Sequence, residues 1–93
     1  MSVIEGIRCN YATLSVAGTV SISTTPAFLH TINLNDSVAG TLTVKDGTAA
    51  AAATVGVVIC GTPGYRMFDV DCPNGLQAIT NANNKITISY AKI

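Results

Sequence analysis

The side chains able to do chemistry are few and widely spaced. The chain holds a single histidine, His30, and no tryptophan. A histidine acts as a general base only beside a positioned partner. No nucleophile motif of the G-x-S-x-G type accompanies it. The run Phe28-Leu29-His30-Thr31-Ile32-Asn33-Leu34 places His30 on one face of a strand with Phe28, Ile32 and Leu34. The expectation is therefore a packed imidazole bonded to a neighbouring group. Asp69 and Asp71 stand two apart, which puts both carboxylates on one strand face about 7 Å apart. Such a pair could work as acid and base on a glycoside, or bind Ca²⁺ with help from Asp46 or Asp36. A glycosidase cleft would want aromatic platforms, yet Tyr11, Tyr65, Tyr90, Phe28 and Phe68 are all the aromatics present. No EF-hand spacing supports a calcium loop. The pair reads as a solvated strand face.

The cysteines, Cys9, Cys60 and Cys72, are odd in number and include no C-x-x-C pair. Neither a fully paired disulfide framework nor a zinc site follows from that spacing. Reduced, buried thiols are expected, with a Cys60–Cys72 bridge as the alternative. The five cations, Arg8, Lys45, Arg66, Lys85 and Lys92, are scattered and balanced by five carboxylates. No basic stripe with interleaved aromatics forms a nucleic-acid platform. Neither phosphate-binding glycine pattern occurs. The reading is non-enzymatic, with no cofactor, no metal, no nucleic acid and no membrane among its partners.

Any site must be carried by strands. Val, Ile and Thr number 9, 9 and 12 of 93 residues, and β-branched side chains favour the pleated sheet. Period-two alternation recurs. Leu42 and Val44 oppose Thr41, Thr43 and Lys45; Val20 and Ile22 alternate with Thr19, Ser21 and Ser23. Phe68, Val70 and Cys72 alternate with Met67, Asp69 and Asp71, and Ile86, Ile88 and Tyr90 with Thr87 and Ser89. Turn chemistry punctuates these runs at Ala17-Gly18, Asn35-Asp36-Ser37, Thr62-Pro63-Gly64, Pro73-Asn74-Gly75 and Asn81-Ala82-Asn83-Asn84. Ala17-Gly18 is expected to turn one run back on the last, and Asn35-Asp36-Ser37 to close a hairpin. The five alanines from Ala49 to Ala53 are expected to form a pliable loop, because one or two turns of helix are not stable alone. Eight or nine short strands at about ten-residue spacing predict one all-β domain over 1–93, an antiparallel sandwich or small barrel.

Two features point to life in an assembly. Charged residues are only 11% of the chain, against about 25% in an ordinary soluble domain, and the net charge is zero. Edge strands in such a surface have little protection. The first ten residues read as an N-terminal arm or edge strand, with Val3, Ile4 and Ile7 suited to cover by another chain. No secretory leader is expected, since Glu5 and Arg8 interrupt the early apolar stretch. The longest apolar-and-small run, Ala49 to Cys60, falls well short of the about 20 residues a spanning helix needs.

Four segments carry a resemblance: Phe28-Leu29-His30-Thr31-Ile32-Asn33-Leu34-Asn35, Gly40-Thr41-Leu42-Thr43-Val44-Lys45-Asp46-Gly47, Asp69-Val70-Asp71-Cys72-Pro73-Asn74-Gly75-Leu76 and Ile86-Thr87-Ile88-Ser89-Tyr90. In order and spacing they resemble the small β-sandwich virion proteins of tailed bacteriophages, over about two-thirds of the chain. Members of that group include capsid cement, or decoration, proteins. The five-alanine loop and the three cysteines depart from the group's pattern. The resemblance implies an antiparallel jelly-roll-like β-sandwich and a structural role on the capsid exterior of a virion assembled in the host cytoplasm. It implies two partners, the major capsid protein and the chain itself as a dimer or trimer. The interface residues expected are Val3, Ile4 and Ile7 of the arm together with Ala50, Ala51, Ala52 and Ala53 of the loop. The rival reading is a carbohydrate-binding or tail-fibre module, which would need an exposed aromatic such as Tyr65 near an Asn or Asp.

Overall fold

The computed structural model describes residues 9–92. They form eight strands: β1 (Cys9–Leu14), β2 (Gly18–Ser23), β3 (Ala27–Leu34), β4 (Gly40–Asp46), β5 (Ala53–Cys60), β6 (Gly64–Cys72), β7 (Leu76–Thr80) and β8 (Ile86–Lys92). Two four-stranded sheets result, ordered β1-β8-β3-β6 and β2-β7-β4-β5. Every pairing is antiparallel. This double wrapping of the chain is the jelly-roll arrangement, so the expected fold class holds, with eight strands. Ala49 to Ala52 form a loop, as their length demanded, and Ala53 opens β5.

The core is the set of inward side chains from both sheets. Leu29, Ile32, Ile86 and Ile88 of the first sheet meet Leu42, Val44, Leu76 and Ala78 of the second, all sealed from solvent. The alternation in β4 and β8 that the sequence displays sets which residues these are.

Strand connectivity differs from expectation. Among consecutive described strands only β4 and β5 pair with each other. The segments Ala17-Gly18, Asn35-Asp36-Ser37 and Asn81–Asn84 do not close hairpins; each carries the chain from one sheet to the other. Side-chain hydrogen bonds tie these crossings together at one end of the sandwich. Asp36 Oδ2 accepts from the Lys85 N–H at 3.1 Å, Asn81 Oδ1 from the Thr41 N–H at 2.7 Å and Asn83 Oδ1 from the Ala17 N–H at 2.9 Å. The opposite end gathers the 24–26, 47–52 and 73–75 loops, the start of β1 and the end of β8.

The face assigned to His30 is also corrected. Ala27, Leu29, Ile32 and Leu34 are buried, whereas Phe28 and His30 turn outward. The cause is a register break between Leu29 and Thr31 against both neighbours. One extra residue in the strand reverses the alternation, so the two halves of β3 follow opposite phases.

Candidate assembly surface

The bulge in β3 is answered by one in β6, where Phe68 and Asp69 lie opposite His30. Asp69 is the one described non-glycine residue with positive φ, at 51°. Aspartate tolerates that left-handed conformation better than most residues. It swings the carboxylate beside His30, whose Nδ1–H donates to Asp69 Oδ1 at 2.7 Å. Phe28 stacks on the same imidazole, with centroids 6.5 Å apart. Both partners of the pair are about half exposed, at 44% and 48%. His30 thus has the bonded neighbour expected of it, but on the wet face rather than in the core. Among the described residues no hydroxyl or thiol is bonded to the pair. It fastens the bulge of β6 to β3.

Phe68 points inward with Val70 and Cys72, as alternation along β6 places it, and its ring lies over Gly56 of β5. A Cβ at Gly56 would fall 2.6 Å from Phe68 Cε2. This contact joins the edge strands of the two sheets, β5 and β6, along one flank of the sandwich. That flank exposes large apolar side chains: Val57 (55%) and Ile59 (71%) from β5, Tyr65 (62%) and Met67 (58%) from β6. Val57 and Ile59 alternate with buried Val58 and Cys60 and so stand on the outer face of their sheet. Tyr65 and Met67 pair with Asn33 and Thr31 on the outer face of the other. The four form two apolar pairs, Val57 with Ile59 on one outer face of the sandwich and Tyr65 with Met67 on the other, rather than one continuous patch. The unbroken run Val55-Gly56-Val57-Val58-Ile59 hides this in sequence, because a run without alternation does not say which side is wet.

Of the interface residues expected from sequence, Ala50, Ala51 and Ala53 are exposed and Ala52 is half-buried. Val3, Ile4 and Ile7 lie outside the described residues. The alanine loop projects from the end of the sandwich where β1 begins, although β1 and β5 lie on opposite flanks. The loop is held by groups that alternation alone does not single out. Buried Gln77 donates through Nε2 to Gly47 O at 3.0 Å and Ala49 O at 2.8 Å, and Lys45 Nζ donates to Ala50 O at 2.9 Å. Asp46 Oδ1 accepts from the Asn74 N–H at 2.9 Å, which ties the next loop alongside. Between Asp46, Asn74 and the alanines lies an open depression of about 400 Å³.

The remaining candidates are dispersed. Asp36 and Asp46 sit at opposite ends of the sandwich, Asp46 at the end where Asp71 flanks Cys72. Among the described residues no three His, Cys, Asp or Glu side chains converge. Cys60 and Cys72 are both buried and unbridged. They close β5 and β6 at opposite ends of the flank, which removes the bridge left open by the sequence. Burial pushes both thiols above their ordinary pKa, with Asp36 adding to the effect at Cys60 and Asp46 and Asp71 at Cys72.

No protein family matches the chain. No curated protein matches it either. Solved structures do. The core of Drosophila NLP, a protein described for pentamer formation and histone binding, is similar with a TM-score of 0.62 at 14% identity, over 92% of this chain and 98% of that one. A protein of the Bacillus endospore appendages, a family of disulfide-linked pili, is similar with a TM-score of 0.57 at 10% identity, over 92% and 87%. At such identities the likeness is one of fold: a small β-sandwich.

Proposed function

We propose that the chain is a structural subunit of a larger assembly, and specifically a tailed-phage virion protein that cements the head by bridging major capsid protein subunits. The observation that carries this reading is the small-residue loop of Ala49 to Ala52, exposed except at Ala52, at the end of the sandwich where β1 starts. Small side chains let a partner approach the backbone closely, and Gln77 and Lys45 hold the loop in one shape before contact. The mechanism is binding. Each copy would add buried area across a seam between shell subunits, and many symmetric copies would act together. The sequence resemblance to phage sandwich proteins supports the setting. That Drosophila NLP forms pentamers and the endospore appendages form pili supports the coarser part, a β-sandwich used as an assembly unit.

The test is quantitative mass spectrometry of purified virions of the encoding phage, followed by rebinding of the purified chain to heads stripped of it. A cement protein is present in many copies per particle, comparable with the shell subunit itself. Deleting residues 1–8, or placing Ala51→Arg in the loop, should abolish head occupancy. Unchanged occupancy in both variants would refute the arm and loop as the contact.

One observation favours a second reading. Tyr65 is largely exposed and Asn33 is its cross-strand partner, an aromatic beside an amide of the kind that holds a sugar ring. Glycan-array binding that disappears in Tyr65→Ala, with no affinity for heads, would replace cement by a carbohydrate-binding or tail-fibre module.

A further inference from the structure

We infer that β5 is a homodimer interface, at which two copies of this chain join their β2-β7-β4-β5 sheets across a twofold axis into one eight-stranded sheet. The inference does not depend on the shell reading, since it concerns the chain alone.

Among the described strands the four sheet edges are β1 and β6 in one sheet and β2 and β5 in the other. Exposed edges are normally guarded by charge, proline or a bulge. The β6 edge is guarded by Arg66, Asp69 and Asp71 and by its bulge. The β5 strand, Ala-Thr-Val-Gly-Val-Val-Ile-Cys, has no charged residue and no proline. Its one irregularity falls at Val55, and Gly56 to Cys60 continue in register with Val44 to Gly40. Among the described residues no strand pairs with the outer edge of β5, which offers an unprotected five-residue ladder.

The side chains decide what covers it. β1 and β2 are also uncharged, but β2 turns Thr19 and Ser21 outward, and the outward residues of β1 are Tyr11 and Thr13. Setting β5 against either would lay Val57 and Ile59 beside mostly hydroxyl-bearing neighbours. Setting β5 against itself does not. A twofold axis normal to the sheet through Val58 runs the two β5 strands antiparallel. It places Val57 opposite Ile59 of the second copy, and Ile59 opposite its Val57. Cross-strand β-branched pairs of this kind are stabilising, and the pleat keeps all four on one face. Twofold contacts are also the commonest way for identical chains to associate. With formal charge zero, two copies approach without net repulsion.

The test uses the full chain and light scattering after size exclusion. At about 100 µM, above the Kd of a weak specific contact, the mass should be about 19 kDa, twice the 9.5 kDa chain. Ile59→Lys and Val57→Lys, both solvent-facing in the single chain, should halve it to 9.5 kDa. Tyr11→Lys and Thr19→Lys, on the other flank, should leave it unchanged. Hydrogen exchange on the unmodified chain gives a reading free of variants: amides of 56–60 should exchange faster on dilution, while those of 18–23 should not respond. A single chain at every concentration, a ring or filament, or a dimer lost in Thr19→Lys and kept in Ile59→Lys would each overturn the proposal. Because no head or glycan is in the tube, neither outcome bears on the shell reading.

Discussion

Gly56 shows how one missing side chain fixes the junction of two edges. Phe68 reaches the core from an edge strand that would otherwise end in solvent, and it can do so only because β5 has no Cβ at the point of contact. Gly56→Val should cost about 1–3 kcal/mol through overpacking, read as a lower urea midpoint with an unchanged slope. Combining Gly56→Ala with Phe68→Leu should cost less than the two single changes added, since the smaller side chain vacates the clash. Strict additivity would mean that the two residues do not touch. A second residue-scale consequence concerns Cys60 and Cys72. Burial raises both thiol pKa values in the fold, so the native state holds those protons more tightly than the unfolded chain. Their stabilising contribution is intact below about pH 8.5, where an unfolded thiol begins to ionise, and declines as the pH rises toward the folded value. Urea unfolding at about pH 7 and about pH 9.5 should therefore show a steeper alkaline loss for the natural chain than for the Cys60→Ala/Cys72→Ala variant. Everything but the two thiols is common to both chains and cancels in that comparison.

At the scale of elements, legibility depended on whether a signal was local. The strands themselves could be read, because alternation in Thr41–Lys45 or Ile86–Tyr90 is imposed by one wet and one dry face. Their partners could not. A turn such as Asn35-Asp36-Ser37 has the same composition whether the chain folds back within a sheet or crosses to the facing one. What distinguishes the cases is Lys85, whose backbone N–H is bound by Asp36 from 49 residues away. His30 failed for a related reason. Its bulge is set by Asp69 across the ladder, and nothing within β3 announces the extra residue. The alanine loop was legible as a loop because helix needs length. Its anchor Gln77 was not, because β7 is buried on nearly every residue and shows no period. The apolar flank was missed in the same way, inside an unbroken Val-Val-Ile run that alternates only once the second sheet is in place.

At the scale of the molecule, the wrapping of the chain governs how the fold must be reached. The first strand pairs with the last, Cys9 opposite Ala91, and Gly18 pairs with Thr80 inside that closure. Only the β4–β5 hairpin can form without closing a long loop. Loop-closure entropy must be spent before the remaining ladders return anything, so folding belongs to the slow range of sandwich topologies, milliseconds to seconds. Stopped-flow refolding from urea should fall in that window, and completion in microseconds would contradict the nested pairing. The hairpin that forms first also exposes the edge proposed to dimerise, before β2 and β7 have sheltered its sheet. Ile59→Lys should then raise the yield of refolded chain at high concentration while leaving the refolding rate at high dilution within about twofold of the natural chain, since the lysine points to solvent in the single copy. If the yield is insensitive to Ile59→Lys yet improves with Tyr11→Lys, the vulnerable edge during refolding is β1 and not β5.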